Sequence, residues 1–415
     1  MSTATSEEQV REAVKRIVHQ TPIVDVHTHI YPSAFGDLLL WGVDELITYH
    51  YLIAEVFRVA PIPYEDFWKM TTKQKADHIW RHLFLDRSPV SEACRGVLTS
   101  LKELGLDTAE RDLDLHRKYF EGRTADDHVG KVFDRANVRY VVMTNNPFDD
   151  AERPVWERGF EPDSRFRPAL RVDELLVNLP RAAESLKTMG YQVSTDCGPD
   201  DLAEIRRFLE DWTARMKPLY MAASLPPGFM YPEDSPMGRV IEECFLPHGR
   251  DNNLPFAMMI GVKKLVNPNL QLAGDSVGKA RIEAVENLCA RNPRNKFLLT
   301  FLSRENQHEC CIAARKFGNL HIFGCWWFLN NPSIIDEITR ERLETLGLSI
   351  TPQHSDARVL DQLLYKWNHS RRIIGDVLSD KYVDLLATGW RPTEDEIQRD
   401  VRLLFGGAFE EFLAR

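Results

Sequence analysis

Eight short apolar runs, set far apart and each followed by helical sequence, constrain this chain more than any other feature. The first is the β-branched stretch of Ile23, Val24 and Val26; the others cover residues 139–144, 166–170, 218–223, 255–262, 296–301, 320–324 and 347–351. Strands buried on both faces read as continuous apolar runs, and parallel neighbours need a helical crossover between them. Eight such units are the number that closes a parallel barrel. The expected fold class is therefore α/β, a (β/α)8 barrel of the TIM type. Residues 6–19 read as a helix leading into the first strand. From residue 38 to 119 strand signals almost vanish, while Trp41, Leu46, Tyr49, Phe57, Phe67, Trp68, Trp80, Leu83, Phe84 and Leu98 recur at helical spacing. That stretch predicts a helical insertion after strand 1. The expected organisation is residues 1–37 for the N-terminal helix and first strand, 38–125 for the insertion, and 126–415 for the remaining barrel and C-terminal helices. A chain of 415 residues is long enough for a barrel with insertions.

In a parallel barrel the C-terminal ends of the strands converge on one site. The first strand ends in His27-Thr28-His29. Side chains at i and i+2 share one face of an extended strand, about 7 Å apart at their Cα atoms, so both imidazoles can reach one divalent ion. The last strand is followed by His354-Ser355-Asp356-Ala357-Arg358, where Asp356 can complete a His-His-Asp site. The structural alternatives are two polar rings capping a strand and an Asp acting as a helix N-cap. No second ligand set is visible. The fifth strand carries Met258 and Met259, the sixth ends at Ser303 without a His, His308 lies beyond it, and His321 sits at the start of the seventh. One divalent ion per chain is expected, with zinc preferred for two imidazoles and a carboxylate.

A net charge of −10 argues against a nucleic-acid partner, which is gripped through clustered Lys and Arg. A small-molecule substrate is the expected partner. No apolar run approaches the roughly 20 residues of a membrane span, and the charged N-terminal helix is unlike a signal peptide. These features predict no membrane association and a cytoplasmic location; a homo-oligomer stays open. The seven cysteines are scattered and odd in number, and read as reduced core thiols.

Several segments, taken in chain order, resemble one known family. They are Val24-Asp25-Val26-His27-Thr28-His29-Ile30, His50-Tyr51, Thr144-Asn145-Asn146-Pro147, Phe166-Arg167-Pro168, Ile260-Gly261 with Asp275-Ser276-Val277-Gly278, Ser303-Arg304-Glu305-Asn306, Gly324-Cys325-Trp326-Trp327-Phe328-Leu329, Ser355-Asp356-Ala357-Arg358 and Arg371-Arg372-Ile373-Ile374. Together they are similar to the uronate isomerase (glucuronate isomerase) family of the amidohydrolase superfamily. The Trp-Trp-Phe-Leu run and the Asp-x-Arg segment are the specific matches, whereas His-x-His is shared across the superfamily. The resemblance implies a distorted barrel, one divalent ion on His27, His29 and Asp356, and aldose–ketose interconversion of a sugar acid. It further implies that His50 and Tyr51 contact substrate oxygens, and that Arg167 and Arg358 contact carboxylate or hydroxyl groups. Asp356, Tyr51 and Arg358 are then the catalytic candidates, and His50, Arg167, Met259, Trp326 and Trp327 the substrate-binding ones. Tyr51, Met259 and the two tryptophans also read as core packing.

The chain departs from the family pattern at three places. Leu-His-Ile-Gly becomes Met258-Met259-Ile260-Gly261, Thr-Asp-Asp-Pro becomes Thr144-Asn145-Asn146-Pro147, and Ser-Asp-His-Gly becomes Ser194-Thr195-Asp196-Cys197-Gly198. These read as substrate-shell positions, so hexuronates such as glucuronate are expected to be poor substrates. Two alternative functions remain at this point: a hydrolase of an amide, lactone or ester working through the same ion, and an inactive sugar-acid-binding protein.

Overall fold

The computed structural model describes residues 6–161 and 163–415. Nine strands occur among them: β1 (Ile23–Thr28), β2 (Val138–Asn145), β3 (Phe166–Arg171), β4 (Met221–Leu225), β5 (Phe256–Ile260), β6 (Val262–Lys263), β7 (Ser276–Val277), β8 (Phe297–Phe301) and β9 (Leu320–Ile322). Seven form one sheet in the order β1-β2-β3-β4-β5-β8-β9, and every neighbouring pair is parallel. β6 and β7 pair antiparallel as a separate ribbon. Alternate residues explain why the runs lack polar alternation. Val24, Val26, Tyr140, Val142, Ala222, Ala257, Met259 and Leu298 cluster inside the barrel. Their neighbours Ile23, Val141, Met143, Met221, Ala223, Met258 and Leu299 pack outward among the helices.

The eighth expected strand, residues 347–351, is not a strand. Helix Pro332–Leu346 ends at Gly347, and Pro352 has no N–H to continue a ladder, so only one parallel bridge, Phe323 with Thr351, survives. Barrel closure passes instead through an irregular segment. Thr351 bonds both ways to β9's end (Gly324 N to Thr351 O, 2.7 Å; Thr351 N to Ile322 O, 3.0 Å). Beyond it, Asp356 N donates to His27 O at 3.1 Å and His29 N donates to Ala357 O at 2.7 Å, which returns the wall to β1. This is the distortion in an otherwise regular (β/α)8 barrel.

Phe409 and Phe412, on helix Ala408–Ala414, fill the end of the interior opposite the strand C-termini, where Phe412 stacks on His321. The approach to that helix demands a glycine: Gly406 has φ 111°, and a Cβ there would lie 2.4 Å from Val24 Cβ.

Between β1 and β2 the chain runs through helices Val43–Ile47, His50–Val59, Tyr64–Lys69, Thr72–Trp80, Glu92–Glu103 and Leu113–Phe120. They share their own apolar cluster, including Leu46, Ile47, Val56, Phe67, Ile79, Val97 and Leu101. Asp361, fully buried, ties this layer to the barrel. Its carboxylate accepts Gly42 N at 2.8 Å and meets His128 Nε2 at 2.7 Å, while its carbonyl accepts Ser100 Oγ at 2.8 Å. No helix among the described residues is long and apolar enough to cross a membrane.

Candidate metal centre and substrate pocket

His27 and His29 leave the end of β1 where its register against β2 breaks between Asp25 and Thr28. The two rings meet edge to face at 5.3 Å. Asp356 approaches from the closing segment, its Oδ1 3.6 Å from His27 Nε2 and 3.3 Å from His29 Nε2. The backbone at Asp356 is left-handed (φ 50°), a conformation Asp tolerates better than most residues and one that turns the carboxylate inward. Asp25 pins the same segment from behind, accepting Ser355 N at 2.9 Å and Trp367 Nε1 at 2.8 Å.

The three ligand atoms lie within 4.8 Å of one another. Asp356 Oδ1 is buried and has no hydrogen-bond partner. Burial pushes the His27 imidazole down to about 3 and that of His29 well below its usual value, so both rings are neutral at pH 7. Two neutral imidazoles and an unpartnered carboxylate oxygen facing one small gap form the donor set of a divalent cation of borderline softness. The residues present therefore fit an ion.

Around these ligands lies a cavity of about 260 Å³. From β3's end come Arg171 and Asp173, bound to each other through two hydrogen bonds of 2.9 and 3.0 Å. Burial opposes charge on Asp173, but the Arg171 guanidinium outweighs it and holds the carboxyl below its usual range. Arg358 also lines the cavity, and no carboxylate among the described residues pairs with it. Lys264 stands at the mouth, 64% exposed, bound to Asp275 at 2.7 Å and 5.9 Å over the Trp327 ring. Met259, Trp326, Trp327, Tyr49 and His50 complete much of the wall. Several buried polar groups here lack partners among the described residues: both ring nitrogens of His50 and Trp327 Nε1. Unmet groups of this kind, at a cost of about 1–3 kcal/mol each, suit a ligand rich in hydroxyls.

Most of the candidate residues read from the sequence meet in this cavity: His27, His29, Asp356, Arg358, His50, Met259, Trp326 and Trp327. Two do not line it. Arg167 lies at the start of β3, exposed, with its guanidinium over the Tyr140 ring at 5.6 Å. Arg171, on the same face four residues later and about 13 Å along the strand, occupies the strand's C-terminal end instead. Tyr51 sits behind the wall, edge-on to Tyr49 at 5.0 Å, and it is Tyr49 that lines the cavity. The altered residues Asn145, Asn146 and Cys197 do not line the cavity, although neighbouring Thr144 does. Asn145 is fully buried against Glu152 (2.7 Å), and Cys197 packs into the outer core.

Sequence reasoning missed Arg171, Asp173, Tyr49 and Lys264. It also passed over His354, wholly buried with its ring 5.1 Å from that of His27. The signal for Arg171 was its place at the end of an apolar run. The signal for His354 was Gly324 (φ 72°), whose Cβ would come within 2.2 Å of His354 Nδ1.

Known proteins of similar structure share this architecture. A uronate isomerase from Bacillus halodurans C-125 superposes with a TM-score of 0.98 at 55% identity, covering 99% of this chain and 98% of its own. A uronate isomerase from Thermotoga maritima matches at TM-score 0.78 and 16% identity, covering 99% of this chain and 100% of its own. A glucuronate isomerase from Caulobacter crescentus matches at TM-score 0.79 and 15% identity, with 98% and 94% covered. The latter two likenesses speak for the fold alone. No protein-family model and no curated protein sequence matches the chain.

Proposed function

The chain belongs to the uronate isomerase family, and from that premise we propose that it interconverts the aldose and ketose forms of a hexuronate in the cavity at the end of β1. The observation that supports this most is 55% identity, carried across almost the whole length, to a uronate isomerase. His27, His29 and Asp356 would hold one divalent ion, and zinc suits the donor set best. When bound, the ion polarises the substrate carbonyl and acidifies the neighbouring hydroxyl.

The rest of the chemistry belongs to side chains. Arg358, cationic and unpaired, binds the substrate carboxylate through its planar fork. Arg171, its orientation set by Asp173, presents a second cation to the same anionic ligand. His50 and Trp327, whose polar atoms lack protein partners among the described residues, take up substrate oxygens. Asp356 removes the proton from the carbon beside the carbonyl and delivers it to the former carbonyl carbon, while the proton of the neighbouring hydroxyl passes to the former carbonyl oxygen. An enediolate forms and collapses between the two transfers, so no proton is gained or lost overall. The aromatic wall keeps water from the exposed carbanion equivalent.

A panel assay tests this reading. Glucuronate, galacturonate, aldonates, lactones, esters and amides are incubated with zinc-loaded protein, and isomerisation and hydrolysis are followed separately. The expected result is ketose formation from a hexuronate, with solvent deuterium entering the carbon skeleton only so far as the protonated Asp356 carboxyl exchanges before it delivers its proton. Hydrolysis without isomerisation would replace this reading by the hydrolase one, and no turnover at all by the binding-protein one. The same panel shows whether Met259 makes hexuronates poor substrates.

A further inference from the structure

Two hydroxyl groups stand behind the histidine pair, and their hydrogen atoms have only one self-consistent placement. Tyr220 Oη lies 2.7 Å from Val26 O and 3.3 Å from His27 Nδ1. Thr144 Oγ1 lies 2.9 Å from Thr28 O and 2.8 Å from His29 Nδ1. A carbonyl oxygen only accepts, so two oxygens at these separations hold the hydroxyl hydrogen between them. Each hydroxyl has a single hydrogen. Once it is given to the carbonyl, the hydroxyl oxygen can only accept from the ring, and the ring nitrogen facing it must carry the proton. Both imidazoles are thereby Nδ1–H tautomers. Their Nε2 lone pairs are left bare, on the side where Asp356 Oδ1 stands at 3.6 and 3.3 Å.

Both hydroxyls and the His27 ring are buried, and only His29, its side chain 16% exposed, opens toward the cavity. Tyr220 is 0% exposed, Thr144 1% and His27 2%, so no bulk water is at hand to replace either hydroxyl. Rotating a hydroxyl toward its ring would strip Val26 O or Thr28 O of that hydrogen bond, at the point where the β1–β2 register already breaks. Tyr220 comes from the start of β4's extended segment and Thr144 from β2, so two different strands grip the rings of a third.

We propose that Tyr220 and Thr144 are positioning residues of the metal centre, which hold His27 and His29 in the one tautomer that can bind an ion before any ion arrives. The proposal rests on the metal site put forward above, but not on the identity of the substrate. Hydrogen bonds of this kind to ligating imidazoles set metal affinity by about 10–100-fold when they are removed.

The test reads tautomers and affinity directly, without activity. On the metal-free protein labelled with ¹⁵N-histidine, two-bond ¹H–¹⁵N correlations should show His27 and His29 as Nδ1–H. Zinc affinity is then measured by chelator competition on the wild type, Tyr220→Phe, Thr144→Val and Thr144→Ser. Tyr220→Phe and Thr144→Val should each weaken zinc binding about 10–100-fold at unchanged folding temperature, and Thr144→Ser, which keeps the hydroxyl, should bind like the wild type. Nε2–H tautomers in the metal-free protein, or zinc affinities of both hydroxyl-less variants within about threefold of wild type, would overturn the proposal while leaving the metal site standing. A wild type that binds no zinc would overturn both.

Discussion

At the scale of single residues, the cavity separates side chains that hold charge from side chains that hold shape. Among the described residues, Arg358 is the cavity cation without a carboxylate partner, so its full hydrogen-bonding capacity is available to a ligand. Lysine there keeps the charge but loses the bidentate fork, and loss of charge-assisted bonds worth about 1.5–3 kcal/mol predicts a fall in kcat/KM of about 10–150-fold for Arg358→Lys. Steady-state kinetics with metal content measured in parallel checks this; wild-type kcat/KM would return Arg358 to the ordinary surface charges. Met259 is 2% exposed on the wall and offers a thioether that cannot donate a hydrogen bond. Met259→His should therefore sharpen discrimination among hexuronate epimers by about 5–150-fold, the worth of one hydrogen bond made or missed at about 1–3 kcal/mol. An unchanged ratio of kcat/KM between glucuronate and galacturonate would make this Met barrel packing only. The clustering of His27 with His29 was legible in the sequence because a strand's two-residue period is enough to aim two imidazoles together. Arg167 was preferred to Arg171 because a resemblance gives the motif and not the end of the strand on which it lies, and four residues along a strand separate one mouth of a barrel from the other.

At the scale of elements, the buried carboxylate of Asp361 is one tie between the helical layer and the barrel, beside the 2.6 Å pair of Glu92 with His369. Asp361 serves Gly42 N and His128 with no exposure to solvent. Asp361→Ala leaves both donors buried without a partner and should destabilise the protein by about 3–5 kcal/mol, read from urea unfolding. A loss below about 1 kcal/mol would mean that the remaining contacts seat the layer. The strands themselves were legible to within a few residues because continuous apolar runs bounded by helical sequence have little else to become. The eighth was not. Its apolar residues are only Leu348 and Ile350, Pro352 removes a ladder donor, and what completes the wall is a set of backbone bonds from residues 351–357 to β9 and β1 that no periodicity announces. The insertion was legible as helical from its spacing, but its partner, Asp361, lies far along the chain, and only tertiary structure brings them together.

At the scale of the whole molecule, the parts converge on one end of the barrel. The closing segment that fails to become a strand is the one that delivers Asp356 to β1, and the helical layer brings Tyr49 and His50 over the same gap. The opposite end is plugged by Phe409 and Phe412. With one such donor set among the described residues, the proposed activity is expected to depend on one ion. His27→Ala, His29→Ala and Asp356→Ala should each abolish metal binding and turnover while circular dichroism shows an intact fold, because the barrel's packing is carried by apolar residues on either face of the strands. Isomerisation of a hexuronate at a one-ion centre is tested by titrating metal-free protein with zinc while recording ketose formation from glucuronate and galacturonate. The rate is expected to rise linearly and reach its plateau at about one equivalent per chain. A plateau near two equivalents, or no ketose from either acid at any zinc level, would contradict that reading.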